Sequence, residues 1–281
     1  MKRIMFGLVA LVAMVSLIGC GGEAEKLAAP EIIGVVADSN SVTLTWKEDT
    51  TVTNHSDFQG YNVYYSTDSA SLIVEDGEDL SPVNTTVITT NTFEVTGLSV
   101  DSIYFFQVRT VNTADKVGSY NAEVPVVQIS PRPEFVIGKI KMELSQSGQP
   151  PLNEDSCALK FSTGEILNEV NNEFPNADVF ADAVDTTTAQ LVSASARPNG
   201  RSTLIVKLDT TYTWESWNFS GVDFGTSDRA EVNNNDLLLC KTTEGNYVKV
   251  LIEEVNHTQD YIKLKYAYQN KPNYPYLSPG R

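Results

Sequence analysis

Apolar and polar residues alternate in short runs over much of the first half of the chain. Residues 42–47, 61–66 and 104–109 each place an apolar side chain at every second position. A period of two gives each strand one apolar face and one more polar face. Turn-forming residues separate these runs at regular spacing. The pattern predicts an antiparallel β-sandwich over residues 30–131.

Several positions in this domain resemble the fibronectin type III family. Trp46 matches the core tryptophan of that family's second strand, and Tyr61 matches the aromatic residue of its third strand. Residues 98–104 resemble the family's tyrosine corner, in which the Tyr104 hydroxyl hydrogen-bonds back to the connecting loop. The resemblance implies an immunoglobulin-like β-sandwich, a fold that serves as a spacer, an adhesion module or a binding scaffold.

A second series of alternating runs follows a proline-rich joint at residues 132–134. The prolines on either side of Arg132 restrict the backbone and remove hydrogen-bond donors, so a strand ladder cannot continue through them. Residues 237–268 predict three consecutive strands, with Gly245 in the first turn. We therefore predict an all-β chain, with a second, β-rich domain at residues 135–281.

Residues 168–196 leave two alternatives open. Their alanines and the pair Leu191-Val192 favour a short helix, whereas Thr186, Thr187 and the asparagine and aspartate content favour loop and strand. We expect few helices in the whole chain.

The C-terminal domain also carries a distant family resemblance. Residues 158–164 and 237–268 resemble the β domains of HmuY-like haem-binding lipoproteins. The resemblance implies haem as one candidate ligand, but it carries over no paired haem-ligating histidines. The two histidines, His55 and His257, stand far apart in turn-like segments, where exposed loop positions are expected.

The first 19 residues have the organisation of a secretory signal. Lys2 and Arg3 precede an apolar run over residues 4–17 that is too short for a stable membrane span. The stretch Leu17-Ile18-Gly19-Cys20 resembles the lipobox of bacterial lipoproteins, which implies cleavage before Cys20 and a diacylglycerol on its sulfur. The alternative is an ordinary signal peptide with Cys20 near its cleavage point. Residues 20–29 are predicted to be the lipidated cysteine and a flexible tether.

The negative net charge of the chain limits the classes of molecule that it can bind. The chain carries 20 basic and 36 acidic residues, a formal charge of −16. A field of this sign repels nucleic acid and anionic lipid head groups, so we expect no nucleic-acid partner and a membrane attachment made by the lipid. The expected location is the bacterial cell envelope, with the lipid in a membrane, by expectation the outer one, and the domains on its periplasmic or surface side.

Cys157 and Cys240 form an even pair in a compartment where disulfides persist. They could be bridged. Both flanks also have strand character, and free cysteine is a common core residue, so two buried thiols are the equal alternative.

An aromatic segment at residues 212–219 is the first candidate binding surface. Tyr212, Trp214 and Trp217 could form a platform on which a sugar or an aromatic ligand stacks. The alternative is that these rings fill the core of the second domain, which is the more usual role of large aromatic side chains.

Two further groups of acidic residues are candidates for catalysis or metal binding. Asp178, Asp182 and Asp185 could supply paired carboxylates for glycan hydrolysis, but closeness in sequence does not establish the required separation. The acidic run at residues 75–79 has oxygen ligands for calcium but lacks EF-hand spacing, and a solvated loop is the simpler interpretation. We predict no catalytic residues, no metal site and no cofactor.

These observations predict a non-catalytic envelope lipoprotein that acts as a binding or adhesion module, with a protein or a glycan as partner. The alternative is a surface carrier or receptor whose C-terminal domain holds a glycan or haem. A glycan hydrolase is the third hypothesis.

Overall fold

Two β-domains follow one another along the chain. The computed structural model describes residues 25–132, 134–144, 156–168 and 173–278. The predicted signal segment and Cys20 lie outside these residues. Within the described ranges, no helix is both long enough and apolar enough to cross a membrane.

The N-terminal domain is a sandwich of two three-stranded antiparallel sheets. Strands β1, β2 and β4 form one sheet, and β3, β5 and β6 form the other. A single turn of α-helix, Thr50–Thr53, connects β2 to β3. The strands are β1 Ile32–Ala37, β2 Ser41–Trp46, β3 Phe58–Ser66, β4 Thr92–Thr96, β5 Tyr104–Asn112 and β6 Val127–Ile129.

Trp46 lies at the centre of the N-terminal core. Its ring packs edge-to-face on Tyr61, with 5.3 Å between centroids, and both side chains are buried between the sheets. At the edge of this core the amide of Ser99 donates to the hydroxyl of Tyr104 over 3.0 Å. The predicted sandwich and its tyrosine corner are confirmed.

The C-terminal domain packs a five-stranded sheet against a six-stranded one. The first sheet has the order β13-β15-β16-β17-β7; the second has the order β10-β9-β11-β12-β14, with β8 beside β11. The strands are β7 Glu134–Lys141, β8 Glu143–Leu144, β9 Ala158–Lys160, β10 Glu165–Leu167, β11 Val179–Ala183, β12 Ala189–Ser193, β13 Leu204–Lys207, β14 Arg229–Val232, β15 Leu237–Lys241, β16 Tyr247–Asn256 and β17 Tyr261–Tyr268.

Apolar side chains from both of these sheets form the main core of the C-terminal domain, and Ile140, Leu191 and Tyr266 are among its fully buried members. The meander predicted at residues 237–268 is confirmed, because β15, β16 and β17 are consecutive antiparallel neighbours. The second β-rich domain is therefore confirmed as part of the all-β fold.

Residues 173–196 contain strand and short 3-10 turns. β11 and β12 pair with each other between the turns Phe174–Asn176 and Ala194–Ala196. Val179, Phe180 and Val192 favour the extended conformation here, and the apolar faces of both strands are buried. The structure thus follows the loop-and-strand alternative, and helices are few in the described part of the chain.

The two domains pack against each other. Trp217 and Tyr276 of the C-terminal domain contact the core cluster of the N-terminal domain. The amide of Arg132, in the joint, donates to the carbonyl oxygen of Asp38 over 2.8 Å. The joint is therefore fixed by contacts on the N-terminal domain as well as by the stiffness of its prolines.

Candidate functional site

The aromatic segment does not form one continuous platform. Tyr212 stacks on Phe219, with 5.5 Å between centroids and 21° between the rings. Trp217 instead packs towards the N-terminal domain. Trp214 lies beside two ammonium groups, those of Lys249 at 4.8 Å and Lys265 at 4.5 Å from its ring centre. The three predicted site residues are half-buried and serve three different contacts.

Lys249 fixes the backbone of this segment. Its side chain is fully buried, and its ammonium donates to the carbonyl oxygens of Trp214, Ser216 and Leu277. A buried charge is tolerated when hydrogen bonds replace its water shell. The aromatic segment and the C-terminal tail are consequently held together by one side chain, which is a structural role.

A polar cavity opens at the end of the C-terminal domain where the β15–β16 hairpin turns. It has a volume of roughly 260 Å³ and is lined by Lys160, Ser162, Asp178, Arg201, Thr242, Glu244 and Tyr268. A neighbouring cavity of roughly 450 Å³ shares Thr242 and Glu244 and adds Ser202, Leu204, Lys241, Thr243, Gly245 and Asn273. We call the two cavities together the hairpin groove.

The strand ends place these side chains together. Lys160 is the last residue of β9, Asp178 directly precedes β11, and Tyr268 is the last residue of β17. The hairpin turn requires glycine, because Gly245 has a φ of 89° and an added Cβ would lie 2.8 Å from Asn273 Oδ1. The groove is thus formed where several chain segments end at the same edge.

Asp178, Arg201 and Glu244 form a linked ion network in the groove. Asp178 is 2% exposed; its carboxylate accepts from the Phe161 amide over 2.8 Å and from Arg201 Nε over 3.1 Å. Arg201 Nη2 donates to both carboxylate oxygens of Glu244. This single guanidinium bridges two carboxylates, one buried and one at the rim.

The pKa values of these two acids shift in opposite directions. Burial raises the pKa of Asp178, and the bonds from Phe161 and Arg201 only partly oppose it. Burial would also raise the pKa of Glu244, but hydrogen bonds, including those from Arg201, lower it overall. Desolvation raises the pKa of Tyr268 to about 12, so its hydroxyl stays protonated at neutral pH and can donate.

The sequence did not identify this site. Asp178 is the only member of the ion network that the sequence pattern had marked as a candidate. The other residues of the site were not candidates: Arg201, Glu244, Lys160 and Tyr268. These residues are spread over more than 100 positions and follow no common spacing, so no local motif marks them. The position of Glu244 beside the turn glycine was the only local signal.

The comparison with known protein families gives a match in the N-terminal domain. Residues 28–125 match the family model of the fibronectin type III domain. The N-terminal domain is a fibronectin type III domain. No curated protein matches the chain.

Two solved structures are similar to parts of the chain. The FN5 domain of Drosophila Lar is 21% identical with a TM-score of 0.25, covering 37% of this chain and 95% of its own. A family 28 exopolygalacturonase of Yersinia enterocolitica is 14% identical with a TM-score of 0.26, and the match covers 42% of this chain and 21% of the enzyme.

The fibronectin type III domain also has a surface cavity, of roughly 490 Å³, lined by residues 29–31, 47–50, 121, 123 and 124. One of its acids has a local structural role, since Asp49 caps the single helical turn by accepting from the Thr51 amide over 2.8 Å. The side chains that line it include no buried polar group, whereas Asp178 in the hairpin groove is 2% exposed. We therefore place the candidate site in the hairpin groove.

The acidic run at residues 75–79 is tied to basic side chains of the fibronectin type III domain. Lys26 pairs with Asp76 over 3.4 Å and Lys116 pairs with Glu78 over 2.7 Å. The buried Arg109 holds the preceding residues by donating to the carbonyl oxygens of Leu72 and Val74. In the part of the chain that the structure describes, no three potential metal ligands cluster.

The other sequence candidates do not enter the groove. Asp185 caps its own turn by accepting from the amides of Thr187 and Thr188, and Asp182 lies within β11. His55 belongs to the fibronectin type III domain, where Nδ1 accepts from the Asp57 amide, whereas His257 lies in the turn after β16. Only Asp178 among the three candidate aspartates lines the groove.

Cys157 and Cys240 are separate thiols in the structure. Both are fully buried, Cys157 in a small cluster beside Phe180 and Cys240 in the main core between the sheets. Burial raises the pKa of the Cys240 thiol, which keeps it protonated and unreactive. The arrangement corresponds to the alternative of two buried thiols that pack as small apolar groups.

Proposed function

We propose that this protein is a non-catalytic lipoprotein of the bacterial cell envelope, anchored through Cys20, that binds a saccharide in the hairpin groove. The observation that carries this proposal is the Arg201 bridge between Asp178 and Glu244 inside a concave, polar site. Saccharides present many hydroxyl groups, and fixed carboxylate, guanidinium and hydroxyl groups are the partners that orient them.

The same network favours binding over hydrolysis. Glycoside hydrolysis needs one carboxyl group on each side of the scissile bond, acting independently. Asp178 and Glu244 both bind to the same guanidinium, so neither is released to act as a nucleophile or as an acid opposite the other. We therefore assign these acids to ligand orientation.

The fibronectin type III domain serves as the spacer between the anchor and the groove. A lipid on Cys20, the tether and this domain precede the C-terminal domain in chain order, which places the groove on the domain farther along the chain from the bilayer. The contacts of Trp217 and Tyr276 across the domain boundary support a rigid presentation of the groove. Adhesion to a protein partner remains the broader form of this proposal.

The alternative hypothesis, a surface carrier or receptor, named haem as a second candidate ligand. Neither His55 nor His257 lines the hairpin groove, so no described groove residue supplies the usual axial ligand. An absorbance titration of the protein with haem tests this version, which predicts a Soret shift that disappears when His257 is replaced by alanine.

A glycan array tests saccharide binding. The soluble chain starting at residue 21 should bind at least one glycan class, and Arg201→Lys should reduce that binding roughly tenfold, because lysine cannot bridge both carboxylates. Arg229→Lys is the matched control, since Arg229 pairs with Asp228 on the exposed surface. The proposal fails if the wild-type chain binds no glycan, or if Arg201→Lys, with an unchanged melting temperature, binds as the wild type does.

A further inference from the structure

One hydroxyl in the hairpin groove lacks a protein partner. Tyr268 is 8% exposed and lines the cavity beside Asp178 and Arg201. Among the described residues, none forms a hydrogen bond with its hydroxyl, although the neighbouring Tyr266 hydroxyl donates to the carbonyl oxygen of Phe161 over 2.8 Å. The hydroxyl therefore faces the cavity and is available to donate to a ligand atom that enters it.

A second donor lines the same cavity. The ammonium of Lys160 makes no hydrogen bond or ion pair with any residue in the described ranges, in a protein with 36 acidic residues. The nearby carboxylates of Asp178 and Glu244 are both engaged by Arg201. Lys160 and Tyr268 therefore offer donors to the cavity, one of them charged, while the acids beside them are already paired.

We propose that the hairpin groove binds an acidic saccharide, a sugar that carries a carboxylate, and that this carboxylate accepts hydrogen bonds from Lys160 Nζ and Tyr268 Oη. The inference rests on the proposed saccharide binding and specifies the class of sugar. A planar carboxylate has two oxygens, which match one ammonium and one phenolic donor.

Binding of a carboxylate would be a local property of the groove, because the protein as a whole is negatively charged. The formal charge of −16 repels anions at long range, so a bound carboxylate must be held by direct contacts. Arg201 pairs with both Asp178 and Glu244, and Lys160 brings the cavity to two positive charges against these two carboxylates. Hydroxyl groups of the sugar ring can then contact Ser162 and Thr242, which line the same cavity.

Matched sugar pairs test the inference. Isothermal titration calorimetry would compare oligosaccharides of glucuronate, galacturonate and mannuronate with their carboxyl-reduced counterparts, which differ only in that group. For at least one pair, the acidic member should bind about tenfold more tightly, as expected for a charge-assisted hydrogen bond. Lys160→Gln should abolish this difference, and Tyr268→Phe should reduce it severalfold.

Lys263→Gln is the control variant, because it removes one positive charge from the same domain and lies on the same strand as Tyr268. It should leave the preference unchanged, and circular dichroism should confirm that all three variants fold. Equal affinity within every pair overturns the carboxylate assignment while saccharide binding stands. Tighter binding of the corresponding sugar 6-phosphates assigns the two donors to phosphate instead, and binding of no sugar at all overturns both proposals.

Discussion

The backbone amide of Ala37 donates a hydrogen bond of 2.7 Å to the side-chain hydroxyl of Ser278, which lies 241 positions further along the chain. Ala37 ends β1 of the fibronectin type III domain, and Ser278 belongs to the tail that follows β17. Both residues are fully buried. The C-terminal tail thus closes the boundary between the two domains.

We expect this contact to couple the unfolding of the domains. Ser278→Ala leaves the Ala37 amide buried without its acceptor, which should lower the free energy of unfolding by about 1–3 kcal/mol. Differential scanning calorimetry should show one cooperative transition for the wild type and two for the double variant Tyr276→Ala/Ser278→Ala. The exposed Ser220→Ala is the control and should behave as the wild type. Two separate transitions in the wild type would contradict the coupling.

Among the lysines in the described strands, Lys249 should be the costliest to replace. Lys249→Met keeps the approximate length of the side chain but leaves three carbonyl oxygens, buried or partly buried, without their donor, so we expect a loss of about 3 kcal/mol or more in urea unfolding. Tryptophan emission should shift to longer wavelength as Trp214 becomes exposed. Lys265→Met, which removes the other ammonium near Trp214, should cost less than about 1 kcal/mol. Equal effects of the two substitutions would refute this role.

The two internal cysteines should behave as buried thiols. The soluble chain starting at residue 21 should show no change in intact mass on reduction, and a thiol reagent should label neither cysteine until denaturant is added. Cys240→Ala should destabilise the protein by roughly 1 kcal/mol or more, because it leaves a small cavity in the main core. A mass increase of two daltons on reduction would establish the disulfide instead.

Asp178 should give the protein a distinctive dependence on pH. Burial raises its pKa above the ordinary value of 3.8, so the folded chain binds this proton more tightly than the unfolded chain. The stability due to this proton is present below pH 3.8 and is lost as pH rises through the folded-state pKa. As pH rises from 3.8 through the folded-state pKa, the free energy of unfolding of the wild type should therefore fall relative to that of Asp178→Asn. Urea titrations at a series of pH values measure this difference.

Asp209 supplies the opposite control. Hydrogen bonds from the Thr211 side chain and amide lower its pKa below 3.8, so its contribution is present above pH 3.8 and is lost as pH falls through the folded-state pKa. The wild type compared with Asp209→Asn should gain stability as pH rises through this lower interval. The same slope for both comparisons would disprove the assignment to Asp178.

Lipid attachment at Cys20 is the prediction that decides location. Intact-mass spectrometry of the membrane fraction should find a chain that begins at Cys20 and carries a diacylglycerol. Cys20→Ser should release the protein from membranes, because the acyl chains supply the binding energy and the acidic domains do not. A soluble wild-type product that begins at another residue would contradict the lipoprotein prediction.

The sequence by itself determined the strands and the N-terminal fold. Alternation with a period of two depends only on neighbouring residues, and Trp46 and Tyr104 occupy positions that the fibronectin type III sandwich specifies locally. The turn at Gly245 likewise requires a residue that tolerates a positive φ. These features are visible in sequence because their physical causes lie within a few residues.

Only the tertiary structure decided which polar positions are covered and which ones meet. Lys249 alternates with apolar neighbours as a solvated residue would, yet residues 212–219 and the C-terminal tail enclose it. Asp178, Arg201 and Tyr268 line one cavity. They do so only because the segment before β11, the loop before β13 and the end of β17 lie at the same edge of the domain. Alternation assigns a side chain to a face of a sheet, but the burial of that face depends on segments distant in sequence.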